Sequence, residues 1–120
     1  MEAILVTGAR IYDNQKLIYD TLSQFANLKI VLIHGDCDGV DKLAANIGTK
    51  LGLDVRAFPV TPADWEKFGR AAGPIRNKKM IDYLLTFKKR HMFAFHDNIA
   101  NSKGTKDCVN QAKKNGINAK

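Results

Sequence analysis

A chain of 120 residues with 45% apolar content is long enough to bury a core without cross-links and too apolar to default to disorder, so one domain spanning 1–120 is expected. The formal charge of +7 favours anionic company, while the lack of any run of about eighteen apolar residues and of a cleavable leader pattern in "MEAILVTGAR" predicts a cytoplasmic protein without a membrane partner. Cys37 and Cys108 lie far apart with no C-x-x-C spacing, which argues for reduced thiols and against a disulfide framework or a zinc site.

The apolar runs 2–7 and 29–34 are too short for helices and rich in Ile and Val, as buried parallel strands are. Between them, 13–27 sets Leu17, Ile18, Leu22 and Phe25 near helical spacing, with Asp13 or Asn14 as the N-cap. The pattern returns over 39–52 with Val40, Leu43, Ala44, Ile47 and Leu51, and stops at Gly52. Residues 53–58 read as a third strand and 59–73 as a long connection. Pro74 then opens a helix over 74–87 in the first-turn position that proline prefers. A fourth strand at 90–95, a fourth helix at 104–116 and a stub of a fifth strand at 117–120 complete the order. The basic clusters at Lys78-Lys79, Lys88-Lys89-Arg90 and Lys113-Lys114 lie mostly toward helix ends, where solvated cations answer the helix dipole.

Strict alternation of strand and helix predicts an α/β fold: a mainly parallel sheet of four to five strands, joined by right-handed crossovers and covered on both faces. The four strand-to-helix loops then share one sheet edge, where ligands of open parallel sheets bind. After the first strand stand Gly8 and Arg10, a close-approach glycine and a guanidinium suited to phosphate. Neither G-x-G-x-x-G nor G-x-x-x-x-G-K-[ST] is present, so no dinucleotide or P-loop cofactor site is expected. "AAGPIRNKK" holds Arg76 and Asn77 in the first turn after Gly73-Pro74, and Gly104-Thr105 begin the last helix with amides that suit an anion. Arg76 either meets the ligand or pairs with a loop carboxylate. Trp65 and Phe68 either stack a base or pin the long loop to the domain.

"HGDCDGVD" sets Asp36, Asp38 and Asp41 around Gly39, in the wrong register for a calcium loop. Carboxylates at the end of a second strand can instead accept hydrogen bonds from ribose hydroxyls. The loop would then hold sugar while Gly8, Arg10, Arg76 and Gly104-Thr105 hold phosphate. The structural alternative is that Asp38 or Asp41 caps the second helix.

Taken in order, "VTGAR-IY-D", "IHGDCDGVDKLA", "FPVTPADWEKFGRAAGPIRNKKM" and "KGTKDCV" resemble the YspA-like family of the SLOG superfamily over nearly the whole chain. The resemblance implies a Rossmann-like three-layer domain whose strand-end crevice binds nucleotides or nucleotide-derived ligands. It carries Thr7, Gly8, Ala9 and Arg10 onto the first motif, with Ala9 in place of the usual serine. His34, Gly35, Gly39 and Asp41 fall on the second, and Trp65, Gly73, Pro74, Arg76 and Asn77 on the third. Relatives include phosphoribohydrolases, sensors of cyclic ADP-ribose signals and a DNA-processing branch. The phosphoribohydrolases use a glutamate where this chain has Cys108, with Asp107 one residue earlier, and a thiol cannot steer water as a carboxylate does.

The resulting expectation is a cytoplasmic binder of a nucleotide-derived small molecule, of ADP-ribose, cyclic ADP-ribose or nucleoside phosphate type, that senses or sequesters its ligand. It needs no cofactor or metal, and forms a homo-oligomer. The alternatives are a nucleotide N-glycosidase using Asp41 or Asp107, and a DNA-binding protein.

Overall fold

Strand β1 (Glu2–Gly8) is buried without a break from Ala3 to Thr7, which requires cover on both faces and partners on both edges. The computed structural model, which describes residues 2–99 and 102–120, supplies both. β2 (Ile30–His34) pairs with β1 on one side, with Glu2 opposite Ile30, and β4 (Lys89–Phe95) pairs on the other, with Glu2 opposite Lys89. β3 (Asp54–Ala57) lies outside β2, giving the order β3-β2-β1-β4 with every pair parallel. The fold is therefore α/β and Rossmann-like, with four strands.

Alternation along the strands divides the core into two layers. Ala3, Leu5, Val31, Ile33 and Met92 face Met80, Ile81 and Leu84 of α4 (Ala72–Leu85) and Cys108 and Ala112 of α5 (Lys103–Lys114). Ile4, Val6, Ile30, Leu32 and Phe95 face Ile18 and Leu22 of α1 (Gln15–Ser23) and Val40 and Ala44 of α2 (Val40–Lys50). Each fully buried Leu or Ile contributes about 1.5–3 kcal/mol.

Several boundaries differ from expectation for local reasons. α1 starts only at Gln15 because Asn14 is its cap, accepting from the Leu17 amide at 3.1 Å, and it ends at Ser23 rather than 27. α2 and α5 are each shorter than expected at the C-terminal end, and β3 loses a residue at each end. α4 begins at Ala72, so Pro74 is its third residue rather than its first; no helical amide bond is lost there.

The expected connection 59–73 contains a helix, α3 (Pro62–Phe68), followed by a 3-10 turn (Gly69–Ala71). A reciprocal capping box forms it: Thr61 Oγ1 accepts from the Asp64 amide at 3.1 Å, and Asp64 Oδ2 accepts from the Thr61 amide at 3.0 Å. The expected fifth strand does not form. Residues 117–120 instead lay one pair of main-chain bonds on the outer edge of β4, from Lys120 N to Met92 O at 3.0 Å and from Ala94 N to Lys120 O at 3.2 Å. Within the last strand-to-helix loop, residues 100 and 101 lie outside the described ones. Among the described residues no helix is long and apolar enough to cross a membrane.

Candidate functional site

The chain leaves β1 for β2 in one direction and returns to β4 on the other side, so the connections diverge and open a crevice at the carboxyl ends of the strands. A cleft of about 660 Å³ occupies it, and all four strand-to-helix connections line it. Of the residues singled out in the sequence, Thr7, Gly8, Ala9, Arg10, Gly35, Asp36, Asp38, Asp41, Trp65, Gly73, Arg76, Asn77, Gly104 and Thr105 are brought together in its lining. His34, Gly39 and Pro74 lie outside that lining, as do Phe68 and Asp107.

The acidic loop is held from within. His34 is buried at the end of β2, and its Nδ1 accepts from the Asp36 amide at 2.9 Å, which supports Asp36 in a left-handed conformation at φ +58°. Burial lowers the His34 imidazole below its usual pKa, so the ring is neutral at pH 7 and carries its proton on Nε2. Asp41, 5% exposed in the first turn of α2, does not cap that helix; its Oδ2 turns back to accept from the amides of Gly35 at 2.9 Å and Cys37 at 3.4 Å. Burial pushes its carboxyl up to about 6, against the pull of those two amides and of the Arg76 guanidinium. Asp38 is exposed on the cleft, and Asp36 pairs with Lys42 at 2.6 Å. Gly39, at φ +82°, has no room for a side chain, since a methyl group there would collide with the carbonyls of Ala9 and Arg10.

Arg76 crosses the cleft floor from α4. Its Nη1 donates to the carbonyls of Gly35 and, at 3.4 Å, Phe58; its Nε donates to Asn77 Oδ1 at 2.9 Å; and its Nη2 lies 3.5 Å from Cys37 Sγ. The guanidinium thus grips main chain rather than a loop carboxylate. Asn77, 3% exposed, ties α4 to α5 by donating from Nδ2 to Gly104 O at 3.2 Å and to Asp107 Oδ2 at 3.0 Å.

Side-chain capping distinguishes the helix starts. Asn14 and Thr61 cap α1 and α3, whereas neither Ala71 before α4 nor Ser102 before α5 makes a side-chain bond to the amides that follow. α2, which follows Gly39, also has no side-chain cap; α4 and α5 differ from it in carrying a glycine inside the first turn, Gly73 and Gly104, and both glycines line the cleft. Neither has positive φ, and a methyl group on either would meet nothing within 4 Å. A glycine there costs helix stability, about 1 kcal/mol relative to alanine, without any packing need that explains it. At Gly104 the missing methyl gives open access to helix-start amides, where anions are stabilised; at α4 the preceding 3-10 turn takes the Ala72 amide on the Gly69 carbonyl and Pro74 has no N–H, so the Gly73 amide is the one that faces this end of the cleft. By contrast, Gly8 has a packing reason: a methyl group would lie 2.5 Å from Val40 Cγ2 and 2.6 Å from the Phe95 carbonyl oxygen.

Of the catalytic candidates, only Asp41 reaches the cleft. Asp107 Oδ2 is engaged by Asn77 and, at 2.7 Å, by Gln111 Nε2. Cys108 is fully buried, shares a hydrogen bond with Thr7, and its thiol is pushed up to about 12 by burial, which leaves it inert. Both cysteines are free, and among the described residues no group of three or more His, Cys, Asp or Glu side chains is placed to hold a metal ion.

Sequence reasoning passed over Ile11, Cys37, Pro59, Val60, Met80, Ser102 and Lys103, which also line the cleft. Cys37 sits inside the quoted acidic motif and Ser102-Lys103 directly precede Gly104, so adjacency was an available signal for these three. Met80 closes the third resemblance motif, but its place on the apolar face of α4 marks it as core.

A family profile described as YAcAr, "YspA, cpYpsA-related SLOG family", matches residues 3–68. The "Gene 61 protein" of Mycobacterium phage D29 is 30% identical over 128 aligned positions that cover 98% of this chain and 93% of that protein. That alignment extends across the Arg76 and Gly104 segments, which lie beyond the profile match. No solved structure matches the chain.

Proposed function

Because the chain belongs to the YspA, cpYpsA-related SLOG family, whose membership points to a nucleotide-related ligand, we propose that it binds a phosphate-bearing nucleotide derivative in the strand-end cleft and retains it intact. One observation carries the proposal: the α5 start, which has no side-chain cap, and the Gly73 amide of α4 each lie beside a glycine with no packing role and share a cleft with the acidic loop, whose Asp38 is exposed. The amides at Gly73 and Gly104, with Lys103 beside them, suit phosphate oxygens, while Asp36 and Asp38 suit ribose hydroxyls. A compound with both groups, such as ADP-ribose, a cyclic ADP-ribose isomer or a nucleoside phosphate, addresses both ends at once. The protein then acts by sensing or sequestering its ligand in the cytoplasm, and a bacteriophage relative is consistent with withdrawal of a host signal.

A second reading, an N-glycosidase, is favoured by one fact: Asp41 lines the cleft with its carboxyl pushed up to about 6, close to where a general acid or base works near neutrality. DNA binding draws less support, because Lys78 pairs with Asp82 and Lys113-Lys114 close the far end of α5. The deciding experiment incubates the protein with nucleoside monophosphates, NAD, ADP-ribose and cyclic ADP-ribose isomers, removes free compound, denatures and identifies what remains by mass spectrometry. Intact compound near stoichiometry supports the binder. Free base with a ribose phosphate product in the removed fraction replaces it with the glycosidase, and finding neither a retained compound nor any product overturns both.

A further inference from the structure

Among the described residues five large apolar side chains are well exposed, and two of them, Ile11 at 92% and Trp65 at 49%, line the cleft. They come from different connections: Ile11 follows β1 beside Arg10, and Trp65 lies on α3. An isoleucine so exposed has no core to join, and a half-exposed indole offers a ring face without a covering partner. The element that carries Trp65 is lightly anchored. No residue of α3 or of the 3-10 turn after it is buried. The capping box of Thr61 and Asp64 lets α3 persist as a unit while its attachment to the body stays light. Gly69, at φ +55° with nothing within 4 Å of where a methyl group would be, joins α3 to the next turn as a backbone pivot.

We infer that Trp65 and Ile11 form a nucleobase subsite, with α3 moving as a lid that stacks the indole on the base while Ile11 covers its other side. This deepens the proposed binding function and rests on it. The polar groups deeper in the cleft serve sugar and phosphate, which leaves a flat apolar group as the part of the ligand without a partner. Aromatic stacking is tolerant of base identity, so this subsite selects base-bearing compounds over base-free sugar phosphates.

Trp65 is the sole tryptophan of the chain, so its fluorescence reports on the subsite alone. The test pairs calorimetry with Trp65 emission and acrylamide quenching, using AMP, ADP-ribose and ribose 5-phosphate as probes. The expected result is that AMP or ADP-ribose binds, quenches Trp65 emission and shields the indole from acrylamide, whereas ribose 5-phosphate leaves both signals unchanged. Ile11→Ser, at a position too exposed to endanger folding, should weaken the base-bearing compounds about five- to tenfold and leave ribose 5-phosphate unaffected. Calorimetric binding of ADP-ribose with unchanged Trp65 emission and accessibility would overturn the subsite and leave the binding function standing. Equal weakening of all three compounds by Ile11→Ser would also overturn it. Shielding of Trp65 by raised protein concentration without ligand would reassign this rim to contact between two copies of the chain and overturn it too. If no probe binds at all, the binding function fails and the subsite with it.

Discussion

The guanidinium of Arg76, in the first turns of α4, closes on the main-chain carbonyl of Gly35 at the end of β2. The approach is so close that a methyl group on Gly35 would lie 2.5 Å from Nη1, so the glycine and the arginine form one fitted joint. The acidic loop consequently takes its shape from a helix that the chain reaches only after β3 and α3.

Arg76→Ala should therefore act twice. Losing the charge-assisted bonds to Gly35 and Phe58 should cost about 1.5–3 kcal/mol of stability, measured by urea denaturation. Affinity for a phosphate-bearing nucleotide should fall roughly ten- to a hundredfold by calorimetry, because the Gly35–Asp38 wall of the cleft loses the side chain that holds it in place. Arg76→Lys should recover little of either, because an ammonium cannot reach Asn77 Oδ1 and the two carbonyls together.

The glycines should separate packing from access. Gly104→Ala and Gly73→Ala meet no steric obstacle and replace the poorer helix former, so each should raise stability by up to about 1 kcal/mol while weakening anion binding. Gly8→Ala should do the opposite to the fold and lower the melting temperature, since its methyl group would press on Val40 and the Phe95 carbonyl. Thermal melts with and without ligand check all three.

Asp41 should give stability an unusual pH slope. Its carboxyl is raised from near 3.8 to about 6 by burial, so between those values the folded protein keeps a proton that the unfolded chain has lost. Stability contributed by that proton is present below about pH 4 and lost as pH rises through 6, a change of about 3 kcal/mol. His34 acts in the opposite sense: its lowered pKa means that stability falls as pH drops below 6.5. Comparing Asp41→Asn with the parent cancels the His34 contribution. The variant should lose the Asp41 slope and be at least as stable as the parent at pH 7, measured by denaturant midpoints from pH 4 to 7.5.

Asn77→Asp should cost more than Asn77→Ala. The alanine removes bonds to Gly104 and Asp107 and the acceptor for Arg76 Nε, a loss of about 1–3 kcal/mol at a buried site. The aspartate sets a second carboxylate against Asp107 where the amide now donates at 3.0 Å, and raising the pH from 5 to 8 should widen the gap between the variants.

β1 and β2 were legible in the sequence because a parallel sheet covered on both faces turns its central strands into apolar runs, and the helices of the two core layers because one stripe of each is apolar. α3 was not, for the same reason inverted: it buries nothing, so no periodicity marks it, although Thr61, Pro62 and Asp64 spell out its start. The site was legible as a set of loops but not as a set of roles. Sequence cannot tell that Asp41 turns inward to the Gly35 and Cys37 amides while Asp38 stays exposed, since the two lie on either side of Gly39 and the turn at that glycine decides which one faces the loop's interior. The engagement of Asp107 by Asn77 and Gln111 depends on how α4 docks on α5, a tertiary relationship that no local pattern encodes.

The placement of β1 between β2 and β4 also orders events in time. The layer formed by β1, α1, β2 and α2 closes through short-range contacts among the first fifty or so positions of the chain, and loop-closure entropy favours it as the earlier unit to condense. The pairing of Glu2 with Lys89 spans most of the chain and must wait for β4. During synthesis one edge of β1 is therefore bare until β4 emerges and one face is only partly covered, by α4, until α5 follows, and the cleft, which draws on both halves, is the last feature to exist. A chain interrupted before β4 would present the open edge of a hydrophobic strand, a template for aggregation rather than a partial binding site.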